Sequence, residues 1–90
     1  MAFTPIVSPA VLKKIESFEL GVQNHIVRHI GILLRNATTL SQPAHPLCPQ
    51  MQMFDFEFTF QDMEYRVMLF FQYGSDENTI HIEDIDVMTI

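Results

Sequence analysis

Hydrophobic residues recur at helical spacing in the first half of the chain. Ser8 can cap a helix and Pro9 suits its first turn, so a helix is predicted to begin there. Gly21 is predicted to end this helix or to mark a tight joint. Apolar residues then continue on one side of a second amphipathic helix, from Val22 to Ala37. Together the helices are predicted to form a hairpin over residues 9–38 that lays one apolar face on a sheet.

In the second half of the chain the hydrophobic period changes to two, which is typical of strands. Phenylalanines alternate with polar residues from Phe54 to Phe60. A hairpin turn is predicted at 61–63, followed by a strand over Glu64–Tyr73. Met68 and Phe70 make the second face of this strand apolar as well, so we expect a central strand that is covered on both faces.

A last strand is predicted over Thr79–Val87, after a turn cluster at 74–78. Its apolar residues change phase midway, and Glu83-Asp84 at that point is interpreted as a bulge that restores the register. Residues 2–7 are predicted to form an edge strand or an extended arm, because Pro5 lacks an N–H group. The prolines within 41–50 predict an extended connector.

The order β-α-α-β-β-β predicts an α+β fold, with the helical hairpin packed on a mainly antiparallel sheet. We expect a single domain over residues 1–90, because 90 residues with 48% apolar content can form only one core. A single cysteine, Cys48, gives no internal disulfide and favours a reducing compartment. Neither a signal segment nor a long apolar run is present, so a cytoplasmic protein without membrane association is expected.

Charge is distributed unevenly along the chain. Residues 1–45 hold four basic and two acidic residues, whereas residues 46–90 hold one basic and nine acidic residues. Nucleic-acid binding depends mainly on Lys and Arg, so direct binding to nucleic acid is not expected. The acidic second half indicates either a protein partner with a basic surface or simply a well-solvated surface. The candidate binding residues are the carboxylates of the predicted strands, namely Asp55, Glu57, Glu64, Glu83, Asp84 and Asp86.

Side chains suited to metal binding or covalent catalysis are few. His25 and His29 are four residues apart on one helix and could offer two metal ligands, but no third ligand is near in sequence. No nucleophile motif or glycine-rich phosphate loop is present. The sequence therefore predicts neither a metal site nor a cofactor.

Two segments resemble the RelE/ParE toxin superfamily. Residues 8–15, Ser-Pro-Ala-Val-Leu-Lys-Lys-Ile, open the helical hairpin, and residues 64–70, Glu-Tyr-Arg-Val-Met-Leu-Phe, form the central strand. Members of that family have the order β-α-α-β-β-β in about this length, and often carry a Tyr-Arg-Val/Leu stretch in the middle of the sheet. The resemblance covers nearly the whole chain. It implies a component of a toxin-antitoxin module, with a cognate antitoxin as partner.

The chain departs from the ribonucleases of that family at the positions that handle phosphate. RelE-like enzymes carry basic residues on the strand before the Tyr-Arg strand, where this chain has Asp55 and Glu57. Arg66 is the basic residue that matches. The ParE branch acts by binding DNA gyrase rather than by cutting RNA. A non-catalytic protein that acts by protein binding is therefore the first hypothesis.

Three alternatives remain open. The chain could be a ribosome-dependent mRNA endoribonuclease of the RelE type, with Arg66 on the scissile phosphate and His81 as acid or base. It could be a small acidic inhibitor from a phage or mobile element, acting against host defence by offering carboxylates in place of phosphates. The third is a small interaction or structural domain whose exposed apolar residues support a homodimer.

Overall fold

Two helices pack on one face of a five-stranded mixed sheet in the computed structural model, which describes residues 2–76 and 78–90. This arrangement confirms the predicted α+β class. The elements in chain order are β1 (Thr4–Val7), α1 (Pro9–Glu16), α2 (Leu20–Leu40), β2 (Gln42–His45), β3 (Cys48–Phe60), β4 (Met63–Tyr73) and β5 (Thr79–Thr89).

The sheet has the strand order β1-β5-β4-β3-β2, so β4 is its middle strand. β1 runs parallel to β5, and the other neighbouring strands are antiparallel. One strand was not predicted: β2 lies in the proline-rich segment that the sequence assigns to a connector. Pro43 is tolerated because β2 is an outermost strand. Such a strand has a neighbour on one side only, so an N–H group on its outer side is not needed for pairing.

The predicted start of α1 is confirmed, but of the two roles predicted for Gly21, that of ending the helix is wrong. Ser8 caps the helix by accepting a hydrogen bond from the backbone N–H of Val11 at 3.3 Å, and Pro9 is the first helical residue. α1 ends at Glu16, and Gly21 lies in the first turn of α2. A Cβ at Gly21 would overlap the ring of Phe60, so the glycine permits close approach of helix and sheet rather than ending a helix.

The core is the apolar layer between the two helices and one face of the sheet. Val67, Leu69 and Phe71 of β4 are fully buried at its centre. Along β3 and β4, the side chains of this layer come from every second position, because successive side chains of a strand point to opposite faces. The helices contribute Val11, Ile15, Val22, Ile26, Ile30, Leu33 and Ala37, and the neighbouring strands contribute Phe54, Phe56, Phe58, Ile80, Ile82 and Ile85.

The predicted bulge in β5 is confirmed. Leu69 and Phe71 of β4 pair with Ile85 and Ile82, so that two residues of β5 occupy the space opposite Phe70. The extra residue allows both isoleucines to point into the core despite their spacing of three.

Both hairpin turns of the β3–β4–β5 meander fall where the sequence predicts turns. The β3–β4 loop is the pair Gln61-Asp62, whose φ angles of 50° and 63° are the left-handed values of a tight two-residue hairpin. In the β4–β5 turn, Glu77 lies outside the described residues. Asp76 accepts hydrogen bonds from the Thr79 hydroxyl at 2.7 Å and from the backbone N–H of Asn78 at 3.1 Å. These bonds lower the pKa of the Asp76 carboxyl.

The packing of α2 on β3 predicts opposite effects for two glycine substitutions in the same helix. Gly21→Ala should lower the free energy of unfolding by about 1–3 kcal/mol, because the Phe60 ring must move to admit the methyl group. Gly31→Ala should raise it by up to about 1 kcal/mol, because the new Cβ meets only the end of Arg35 and alanine favours the helix. Urea denaturation of both variants measures the difference, and equal effects would contradict the assigned contact.

The bulge predicts a similar contrast between two single-residue deletions in β5. Deleting Glu83 should leave a regular strand with Ile82 and Ile85 still facing the core, so the unfolding free energy should change by only about 1 kcal/mol. Deleting His81 should move Ile82 to the opposite face and place Glu83 in the core, at a cost of about 3 kcal/mol or more. Thermal unfolding followed by circular dichroism distinguishes the two, and similar stabilities would contradict the register.

Candidate functional site

We name the side of the sheet opposite the helices the open face. It consists of the alternate residues of β3, β4 and β5 that do not belong to the core cluster or to the side chains packed against that cluster. No element of residues 2–76 and 78–90 covers it. Its members include Met53, Asp55, Glu57, Thr59, Glu64, Arg66, Met68, Phe70, His81, Asp86 and Met88.

Four of the six predicted binding carboxylates lie on the open face. Asp55 and Asp86 stand on either side of Met68, in one row across three strands. Glu57 lies two residues further toward the β3–β4 hairpin turn along β3, and Glu64 lies four residues further toward it along β4. The period of two places these groups together because every one of them occupies a position that alternates with a core residue.

The two remaining carboxylates, Glu83 and Asp84, lie in the bulge at the edge of the sheet. Asp84 accepts a hydrogen bond from the backbone N–H of Ile85 at 2.8 Å and lies 3.5 Å from the ammonium group of Lys14. That ammonium group also donates to the carbonyl of Ile85 at 2.9 Å. Asp84 therefore holds the edge of β5 and does not extend the open face.

Arg66 is engaged by a carboxylate of the same face. Its Nη2 donates to Oδ2 of Asp55 at 3.0 Å, and both side chains are partly exposed. An exposed pair of this kind contributes about 0–1 kcal/mol to stability, since solvent screens it. The pair neutralises the arginine, so the open face presents Glu57, Glu64 and Asp86 as its net negative charge.

Glu57 and Glu64 border a shallow depression of about 150 Å³ at one end of the sheet. Thr59 and the terminal Ile90 complete its rim. Two carboxylates beside a depression of this size favour a cationic side chain, because its charge would be attracted by both.

The middle of the open face is apolar. Met53 and Phe70 are register partners on β3 and β4, and Met68 is the next open-face residue of β4. β4 is central, as predicted, but the expectation that it is covered on both faces is wrong for the described chain. Both helices pack on the core face, so Met68 and Phe70 stay half-buried between neighbouring side chains. Apolar centres with polar surroundings are typical of protein-binding surfaces.

Arg66 and His81 are not brought together. His81 pairs with Gln72, which is six residues along β4 from Arg66, so the two side chains originate about 20 Å apart. One phosphate group cannot contact both side chains at that separation.

The two histidines that are four residues apart on α2 pack against the phenylalanines of β3. The His25 ring stacks on Phe58 with centroids 4.6 Å apart, and the His29 ring stacks on Phe56 at 4.2 Å. His29 Nδ1 lies 2.8 Å from the carbonyl of His25. Within the described residues, no three potential metal ligands gather at one place.

No protein-family model matches the sequence, and no curated protein matches it. Among the described helices, none has the length and apolar content needed to cross a membrane.

Sequence reasoning found the carboxylates of the site but not its apolar half. Met53 has the same strand phase as Asp55, so its place on the open face follows from the alternation. Phe70 has the same phase as Arg66, which is a charged residue and indicates an exposed face. The signal was present in the phase, although the hydrophobicity of Met68 and Phe70 pointed to burial.

Two adjacent phenylalanines provide a direct check on the open face. Phe71→Ala should lower the unfolding free energy by about 3–5 kcal/mol, because Phe71 is fully buried in the core. Phe70→Ala should lower it by about 1 kcal/mol or less, because Phe70 is only half-buried and lies outside the core cluster. Guanidinium denaturation of both variants provides the measurement, and a larger loss for Phe70→Ala would place it in the core.

Proposed function

We propose that this domain is a non-catalytic protein of the RelE/ParE type that binds a basic protein partner through its open face. The partner would be either a cognate antitoxin or a nucleic-acid-handling protein that the domain inhibits. The observation that carries the proposal is the combination of net negative charge and an apolar centre on a sheet face that no described element covers.

The charge of the open face supports a basic partner. Asp55 is paired with Arg66, but Glu57, Glu64 and Asp86 form no ion pair with any described residue. A surface of one sign attracts a partner of the opposite sign and speeds its association. It also repels phosphate, so the same charge disfavours direct contact with RNA.

The apolar centre supports a protein rather than a small ion as the partner. Met68 lies between Asp55 of β3 and Asp86 of β5, and Phe70 is the next open-face residue of β4, so a docked surface would bury both. Burial of apolar area contributes about 25 cal/mol per Å², whereas exposed charge pairs contribute little. The apolar residues would therefore supply affinity and the carboxylates would supply partner selection.

The ribonuclease alternative has less support. Arg66 is held by Asp55 and lies far from His81, so the two groups proposed for catalysis do not form one site. Stabilising a phosphate during cleavage needs positive charge at the reacting atoms, and the neighbours of Arg66 on β3 are the carboxylates Asp55 and Glu57.

Neutralising two open-face carboxylates tests the proposal. The double variant Glu57→Gln, Asp86→Asn keeps side-chain shape and breaks no ion pair among the described residues. Partners captured from a bacterial lysate by the original chain would be identified, purified and titrated by calorimetry. We expect a basic partner whose affinity falls by about tenfold or more in this variant, and falls as salt rises from about 50 to 300 mM.

The matched control is the double variant Glu16→Gln, Glu19→Gln, which removes the same charge from the helical side. It should bind the partner as well as the original chain does. Equal loss in both variants would reduce the effect to net charge and contradict binding by the open face. Ribosome-dependent mRNA cleavage that disappears in Arg66→Ala would support the enzyme and contradict the proposal.

A further inference from the structure

Two stretches of the sheet edge extend beyond the short outer strands. The ladder between β1 and β5 ends at the pair Val7–Ile82, and the ladder between β2 and β3 ends at Gln42–Met53. Within the described chain, the outer sides of residues 54–60 in β3 and 83–89 in β5 therefore have no neighbouring strand. Such an edge presents backbone N–H and C=O groups that can pair with another strand.

The hydrogen bonds of the sheet determine which residues of β3 point outward. Ile90 donates its N–H to the carbonyl of Glu64 at 2.9 Å, so the even-numbered residues of this part of β4 point toward β5. The odd-numbered residues point toward β3, where their register partners are also the core phenylalanines. The intervening residues of β3 therefore direct both their N–H and their C=O groups away from β4. They are Asp55, Glu57 and Thr59.

The corresponding edge of β5 is protected. A bulge at Glu83-Asp84 interrupts the regular ladder. At the first position beyond it, the Asp84 carboxylate accepts from the Ile85 N–H and the Lys14 ammonium group donates to the Ile85 carbonyl. Bulges and charged side chains are the usual means by which proteins block strand pairing at an edge.

Among the described residues, the edge of β3 has neither a bulge nor a side chain that bonds to its outward backbone groups. Its register with β4 is continuous from Gln52 to Phe60, without a bulge or a proline. No described side chain bonds to the outward backbone groups of Asp55, Glu57 or Thr59. One sheet thus has a blocked edge and an unblocked edge of similar length.

The side chains beside this edge indicate the chemistry of an added strand. On the open face they are the carboxylates of Asp55 and Glu57, and on the helical side they are Phe56 and Phe58 with the stacked histidine rings. Directly opposite side chains of paired strands lie about 5 Å apart, so a fitting strand alternates basic and apolar residues. A second copy of this chain fits poorly, because antiparallel pairing centred on Glu57 would oppose two like charges.

We propose that the edge of β3 from Asp55 to Thr59 is a strand-addition site for an extended partner segment in which basic and apolar residues alternate. The basic character of the segment rests on the proposed function, whereas the pairing rests on the edge itself.

The probe is a blocked seven-residue peptide of alternating lysine and valine, starting and ending with lysine. One control peptide replaces lysine by glutamate. A second control peptide carries N-methyl groups on the backbone amides that would face β3. We expect fluorescence anisotropy to show binding of the lysine peptide about tenfold or more tighter than binding of either control. In hydrogen-exchange NMR, the lysine peptide should protect the amides of Asp55, Glu57 and Thr59 and leave those of Val87 and Thr89 unchanged.

Proline substitutions provide a second, independent measurement. Thr59→Pro removes an outward N–H without breaking a bond to β4, and should weaken peptide binding about tenfold, whereas Thr59→Val should not. Val87→Pro makes the same change on the edge of β5 and should leave binding unchanged. Circular dichroism shows whether each variant is folded. The hydrogen-exchange measurement uses the original chain, so it tests the proposal even if a variant does not fold.

Three results would overturn the proposal. They are equal binding of the N-methylated peptide, protection at β5 instead of β3, and a dimer of the unliganded chain with the β3 amides already protected. If the Glu57→Gln, Asp86→Asn variant loses the natural partner while N-methylation has no effect, open-face binding stands and strand addition fails. If that variant keeps the partner while the lysine peptide protects β3, the edge site stands and the proposed function fails.

Discussion

All elements of the domain depend on one apolar layer between the helices and a single face of the sheet. Val67, Leu69 and Phe71 of the middle strand are fully buried there, and both helices pack above the strands that flank them. A chain of this length can build only one such layer. The second face of the sheet therefore does not contribute to the core. Its residue types depend on contact with solvent or with a partner rather than on core packing.

The one-sided layer also separates charge across the molecule. Exposed basic residues of the helices, Lys13, Arg28 and Arg35, lie on one side, and the carboxylates of the open face lie on the other. Two copies that met open face to open face would bring like charges together. The fold thus favours a partner of different composition over self-association through this face.

Local signals in the sequence predicted the local features of the fold. Ser8 and Pro9 mark a helix start, and the phase change at Glu83-Asp84 marks a bulge, because both depend on residues that are adjacent in the chain. The role of Gly21 depends on Phe60, and the pairing of β2 depends on β3, so neither follows from local pattern. Four site carboxylates could be placed from the alternation alone.

The hydrophobicity of Met68 and Phe70 pointed away from their place on an uncovered face. Hydrophobicity indicates that a residue prefers to be covered, but it does not reveal whether a layer exists to cover it. That depends on how many elements the chain can supply and on which face they pack. Two helices were available, and both lie on the core face.

The parallel pairing of β1 with β5 has a consequence for how the domain forms during synthesis. Thr4 pairs with Thr79, which the ribosome adds 75 residues later. Proteins are made from the N-terminus, and closing so long a loop carries an entropic cost that only the completed sheet offsets. The first strand must therefore wait for the last one, and the sheet is completed only after β5 has left the exit tunnel.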